Sequence, residues 1–155
     1  MGTVKPLILS GRALARDLAS LGAKRQSWRL QSPASVPVGD RDAALVAHHD
    51  DWELAHARGY KLAIGRDERP ARASLSYVRL PAQFAELGYG DVLRIQPETG
   101  RVRVLYRRSS RHNFFLVTER CNNYCLMCSQ PPKDIDDRWI LEEIKESRLT
   151  HELKF

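Results

Sequence analysis

The chain has 155 residues, 43% of them hydrophobic and 28% charged, and a formal net charge of +6. That length fits one ordinary domain, or a small domain plus part of another. The composition excludes a disordered or collagen-like polypeptide, and no apolar run approaches the ~20 residues needed to span a bilayer.

The N-terminal run Leu7-Ile8-Leu9 is too short for a secretory signal. Pro6 stands where a myristoylation motif needs Ser or Thr. A reducing cytoplasm is therefore the expected compartment. Cysteines there are expected to act as thiolate ligands and not to pair as disulfides. The positive charge is uneven. Residues 1–113 carry 19 Lys/Arg against 11 Asp/Glu, whereas residues 114–155 carry 6 against 8. A solvated arginine-rich surface accounts for this. No aromatic RNA-binding run, helix-turn-helix pattern or basic zipper accompanies the charge, so a nucleic-acid partner is not expected.

In chain order, Lys24–Asp40 contains Ser32-Pro33, Pro37 and Gly39 and reads as loop or irregular strand. Asp42–His48 holds the short apolar run of a strand. Asp50, with Glu53 three residues on, predicts a capping box for a helix from Asp51 to Arg58, closed by Gly59. The adjacent His48-His49-Asp50-Asp51 resembles a metal cluster in composition, but neighbouring strand residues point to opposite faces. Lys61–Ile64 predicts a strand, and the alternation in Ser74–Leu80 predicts another, half-buried one. Pro81 opens a short helix over Ala82–Leu87.

The clearest hairpin joins Asp91–Ile95 to Arg101–Tyr106 through Gln96-Pro97-Glu98-Thr99-Gly100. On its second strand Val102, Val104 and Tyr106 share one face, and Arg101, Arg103 and Leu105 the other. Residues 1–113 are thus expected to form a small β-rich α+β module with a mainly antiparallel sheet. After the polar bridge Arg107–Asn113, the run Phe114-Phe115-Leu116-Val117-Thr118 predicts a strand buried on both faces. Asp136 and Asp137 then cap a helix carrying Ile140, Leu141, Ile144 and Leu149. Strand, loop and helix over 114–155 read as one βα unit, whose chemistry belongs at the C-terminal end of its strand.

That loop holds all three cysteines of the chain, Cys121, Cys125 and Cys128, spaced C-x3-C-x2-C within residues 121–128. Three close thiols can hold one metal centre. A structural zinc site wants four protein ligands, and His112 or His151 would have to supply the fourth. An iron–sulfur cubane instead accepts three cysteines and keeps one iron open. Two readings follow: a cluster site, or a Cys3His zinc staple on a non-catalytic β-rich module that binds peptide or nucleic acid.

The spacing, placed after a buried strand, resembles the cluster motif of the radical S-adenosylmethionine (radical SAM) superfamily. The longer run Leu116-Val-Thr-Glu-Arg-Cys-Asn-Asn-Tyr-Cys-Leu-Met-Cys-Ser-Gln-Pro-Pro-Lys133 is similar to the C-type radical SAM maturases of the His-Xaa-Ser system. Cys128-Ser129-Gln130-Pro131-Pro132 carries the narrower likeness. The resemblance implies a [4Fe-4S] cluster on Cys121, Cys125 and Cys128, with SAM on the open iron. It implies reductive cleavage of SAM to a 5′-deoxyadenosyl radical, and hydrogen abstraction from a precursor peptide during peptide maturation (RiPP biosynthesis). Met127 stands where the family usually has an aromatic residue beside the adenine. Met127, Tyr124 and Ser129 are the candidates for the SAM vicinity, and no catalytic residue is assigned.

The implied fold is α+β, with the β-rich module followed by the first strand-loop-helix unit of an incomplete radical SAM partial βα barrel. The implied partners are the precursor peptide, an external electron donor, and a second radical SAM maturase or the remaining barrel. The chain reaches Phe155 one helix beyond the motif. The expectation is therefore a truncated or split maturase, inactive by itself.

Overall fold

The computed structural model describes residues 10–17, 25–68, 75–111, 113, 120–121 and 133–150. Its strands are β1 (Ser10–Arg12), β2 (Ala15–Asp17), β3 (Gln26–Gln31), β4 (Asp42–Val46), β5 (Leu62–Gly65), β6 (Ser76–Arg79), β7 (Val92–Gln96) and β8 (Arg101–Tyr106). Its helices are α1 (His49–Ala57) and α2 (Arg138–Thr150), with a 3-10 turn at Ala82–Phe84.

The eight strands form one sheet in the order β1-β8-β7-β3-β4-β5-β6-β2. Its two outermost strands, β1 and β2, are successive pieces of one run, Ser10–Asp17. The first piece pairs antiparallel with β8, and the second pairs antiparallel with β6. Between them the Ala13 N–H donates to the Gly100 carbonyl at 2.9 Å, and the Leu14 N–H donates to the Arg79 carbonyl at 2.8 Å. The sheet therefore closes into a small barrel, which removes the open strand edges that invite aggregation.

Residues alternate inward and outward around this barrel, as a pleated strand requires. Trp28 and Leu30 of β3 point inward, as do Leu62 and Ile64 of β5. Val78 of β6, Leu93 and Ile95 of β7, and Val102 and Val104 of β8 join them, and Phe84 of the 3-10 turn plugs the same core. Val102 and Val104 are buried while Arg101 and Arg103 are exposed, as the hairpin alternation predicts. The turn closes at Gly100, whose φ of +67° lies in the left-handed region. Its N–H reaches the Gln96 carbonyl at 2.9 Å.

The pairing is more mixed than expected. β3 with β4, β4 with β5, and β5 with β6 are parallel. Only the pairings through β7, β8, β1 and β2 are antiparallel. Hydrophobic alternation reports which face is buried and does not encode strand direction, so the parallel half was not legible. Parallel strands need cover on both faces. Here α1 supplies it, packing Trp52 and Ala55 over Ala44, Val46, Ala63, Leu75 and Tyr77. Trp52 and Tyr77 meet edge-to-face, with centroids 4.9 Å apart. β6 is accordingly buried on both faces, not half-buried. Burial pushes the Tyr77 hydroxyl pKa up to about 12, with the Arg79 charge opposing. The phenol thus stays protonated and donates to the Asp67 carbonyl.

Three local expectations are corrected. The Lys24–Asp40 segment holds a regular strand, β3, because Trp28 and Leu30 alternate with Ser27 and Arg29 ahead of the prolines. α1 begins at His49 with His48 as its N-cap, two residues earlier than predicted. The Asp51 carboxylate, not that of Asp50, accepts the N–H groups of Ala47 (2.7 Å) and His48 (2.9 Å). The predicted helix over Ala82–Leu87 is a single 3-10 turn. The Ser10–Asp17 strands were not anticipated at all.

A short crossover joins the parallel strands β3 and β4, and Asp42 stitches it. The carboxylate is only 4% exposed. It receives the Arg29 guanidinium in a two-point pair (2.8 and 3.0 Å) and the N–H groups of Val38 (2.7 Å) and Gly39 (3.0 Å). Burial raises the Asp42 pKa, but the Arg29 hydrogen bond and the two backbone donors outweigh it, and the net shift is downward. The Tyr60 hydroxyl adds a second tie, to Ser35 Oγ (2.9 Å) and the Ser32 carbonyl (3.0 Å).

Two predictions follow from the packing. A methyl at Gly65 would lie 2.7 Å from both the Val46 carbonyl oxygen and Val46 Cγ2 on the neighbouring strand, whereas one at Gly39 meets nothing within 4 Å. Gly65→Ala should lower stability by about 1–3 kcal/mol, and Gly39→Ala should leave the urea midpoint near that of the parent. For Asp42, a folded pKa below the unfolded value of about 3.9 means its stabilisation is present above that value. It is lost as pH falls through the folded pKa. Urea midpoints should show Asp42→Asn much weaker than the parent at pH 7, with the gap closing towards pH 2.

Candidate metal centre

Of the three motif cysteines, Cys121 lies among the described residues, and it is exposed. It forms an isolated antiparallel bridge with Lys133. The Cys121 N–H donates to the Lys133 carbonyl at 3.1 Å, and the Lys133 N–H donates back to the Cys121 carbonyl at 3.2 Å. One residue outward, the Arg120 guanidinium meets the Asp134 carboxylate at 3.0 Å. Backbone pair and ion pair together pinch the two ends of the 122–132 segment to one strand spacing, about 5 Å. That ion pair is well exposed on both sides, so the backbone bridge is the stronger part of the clasp.

Cys125 and Cys128 lie outside the described residues. So do Tyr124, Met127, Ser129 and Gln130, the expected strand at 114–118, and both histidines, His112 and His151, considered for a zinc site. Among the described residues, no three His, Cys, Asp or Glu side chains come together as a metal-holding group. The structure thus places one of the three predicted ligands. The His48–Asp51 cluster does not lie in a strand, as expected from the sequence, but starts a helix: His48 is the N-cap and His49, Asp50 and Asp51 open α1.

Asn113, before the segment, and α2, after it, are both tied to the barrel. On the N-terminal side, the Asn113 side chain folds back on the turn after β8. Its amide oxygen accepts the Arg107 N–H (2.9 Å), and its NH2 donates to the carbonyls of Arg107 (3.0 Å) and Ser110 (3.3 Å). Asp91, 2% exposed, accepts the N–H groups of Gly88 (3.0 Å) and Arg108 (2.8 Å). It also faces the Arg107 Nε at 3.9 Å, and Arg107 reaches the Glu86 carbonyl at 2.6 Å. On the C-terminal side, α2 packs against β3, with Ile140 buried. Arg94 of β7 lies over the Trp139 ring at 5.6 Å. The Ile140 N–H caps onto the Asp137 carbonyl at 2.9 Å. Asp136 grips Arg138 at 2.6 and 2.9 Å, and that hydrogen-bonded pair lowers the Asp136 pKa to about 2.

Sequence reasoning found the cysteines and the helix cap. It missed the Asp91–Arg107–Asn113 anchor. Its signal was an acidic residue directly before a buried strand, which reads equally well as a loop residue.

Chemically, this arrangement presents a thiol at the neck of a closed loop. Loop closure removes conformational freedom that three thiols would otherwise lose on meeting one metal. The donor set suits soft metals and iron–sulfur clusters. With Cys121 exposed at the neck, the residues present fit such a group.

Comparison with protein-family models, curated proteins and solved structures finds no match to this chain. Among the described residues, no helix is long and apolar enough to cross a membrane.

The neck bridge has a measurable consequence. Lys133→Pro removes one of its two donors, a loss of about 1 kcal/mol and hence roughly fivefold in metal affinity. Lys133→Ala keeps the N–H and should bind as the parent does. Cadmium titration followed by thiolate charge-transfer absorbance compares the three proteins.

Proposed function

We propose that this chain is a radical SAM peptide maturase, or its N-terminal portion, acting on a His-Xaa-Ser-type precursor peptide. Cys121, Cys125 and Cys128 would hold a [4Fe-4S] cluster, leaving one iron for SAM. The observation that carries the reading is the C-x3-C-x2-C spacing, with its first cysteine exposed at a pinched loop neck. When bound, such a cluster supplies the electron that cleaves SAM.

The chain's own residues do the rest of what this reading needs. Cys121 offers its thiolate from a backbone held by Lys133. Tyr124, Met127 and Ser129 are proposed to line the SAM side, with Met127 giving an apolar, polarizable contact. The Asn113 anchor and α2 tie the flanks of the segment to a stiff barrel. The remaining peptide-holding surface and the electron donor are proposed to come from further chain or from a partner maturase in the cytoplasm.

Anaerobic reconstitution with iron and sulfide tests the reading. About four irons per chain are expected, with a reduced-state electron paramagnetic resonance signal that changes when SAM is added. Replacing Cys121, Cys125 or Cys128 with Ala should abolish cluster uptake while leaving the barrel's near-ultraviolet circular dichroism intact. One equivalent of zinc, and no cluster in any anaerobic preparation, would sink the proposal and favour a zinc-stapled binding module.

A further inference from the structure

The two faces of the barrel wall are treated differently. α1 covers β4 to β6, and α2 packs on β3 and sets Trp139 over Arg94 of β7, while the outer face of β8 and β1 leaves Arg12, Arg101 and Arg103 exposed. On that open face the register sets arginines side by side. Arg12 of β1 pairs with Arg101 of β8, and Arg103 of β8 pairs with Arg94 of β7. Arg12, Arg101 and Arg103 are exposed. Among the described residues none of these three has an ion-pair partner. Ser10, Gln96 and Leu105 flank them outward, so no acidic side chain interrupts the patch on these strands. Like charges directly opposite across a strand pair are destabilising. This fold tolerates two such pairs in a row, which leaves the face short of negative charge.

We infer that the open β1-β8 face docks a short acidic segment of an extended polypeptide, with carboxylates at alternate positions. The barrel is closed, so an incoming strand cannot add to its edge, and recognition must come from side chains. Arg101 and Arg103 lie two residues apart on one strand face, ~7 Å by strand geometry. Alternate side chains of an extended peptide repeat at that same distance. The neighbouring strand brings Arg12 within about 5 Å of Arg101, so a carboxylate there can meet two guanidinium groups, and the next alternate carboxylate meets Arg103. Arginine's planar fork suits a carboxylate in two-point geometry better than a lysine would.

A nucleic acid is the poorer occupant. Single strands are held by stacking on exposed aromatics. The exposed aromatic Tyr89 belongs to the loop leading into β7, at the end of that strand away from Gln96 and Arg101, and the half-buried Trp139 beside the patch already stacks on Arg94. This inference is independent of the cysteine segment and stands or falls apart from it.

The test uses the whole chain and fluorescence anisotropy of a labelled peptide of alternating Glu and Ser. Saturable binding should weaken as salt rises. It should fall roughly tenfold or more in Arg101→Gln/Arg103→Gln, in line with the loss of close charge pairs. Arg58→Gln/Arg66→Gln removes the same charge from other exposed sites and should bind as the parent does. The thermal midpoint of the Arg101/Arg103 variant should equal or exceed the parent's, because a repulsive pair is relieved. Equal weakening by both double variants would reduce the effect to net charge and overturn the proposal. Binding of the matching Gln-Ser peptide, tighter binding of an oligothymidylate of equal charge, or no saturable binding of the Glu-Ser peptide would also overturn it.

Discussion

Closure of the sheet through Ser10–Asp17 is the constraint on which the rest depends. One short run pairs with β8 by its first half and with β6 by its second. Without it the mixed sheet would have two open edges, and its inner residues would line a trough instead of a core. With it, Trp28, Leu62, Ile64, Val78, Leu93 and Val104 share one interior. The stabilisation is hydrophobic, since each such side chain is worth about 1.5–3 kcal/mol when fully buried. What the hydrogen bonds of the closing run contribute is direction: they decide which edges meet.

Closure also decides what the outside can do. The parallel half needs a second layer, and α1 with Trp52 supplies it. The antiparallel half can leave one face wet, and there the arginines collect. The same barrel provides the footing for the cysteine segment. Asn113 and the Asp91–Arg107 pair hold one flank, and α2 on β3 holds the other. The proposed cluster site and the proposed peptide-docking face are separate, yet both would rely on the same closed sheet.

How far the fold was readable depended on how local each signal is. The β7–β8 hairpin was plain, because Val102 and Val104 alternate with Arg101 and Arg103 and Gly100 marks the turn. α2 was plain because Asp136 and Asp137 precede a helical apolar repeat. β3 was obscured by the prolines and Gly39 that follow it, although Trp28 and Leu30 already showed the alternation. Asp42 reads as a strand-start residue. Only the folded chain brings Arg29 and two backbone N–H groups to it.

The amino-acid sequence alone determined the ligand chemistry: three thiols in one short window can hold one soft metal centre, whatever surrounds them. It also determined the inward and outward faces of each clear strand, because alternation is a property of neighbouring residues. Only the tertiary structure decided that Ser10–Asp17 closes the sheet, that β3 to β6 run parallel, and that Cys121 sits at a neck made with Lys133. Those features join residues far apart in the chain. Hydrogen-bond pairing between distant backbones leaves no periodic trace in side-chain pattern, so nothing local could have announced it.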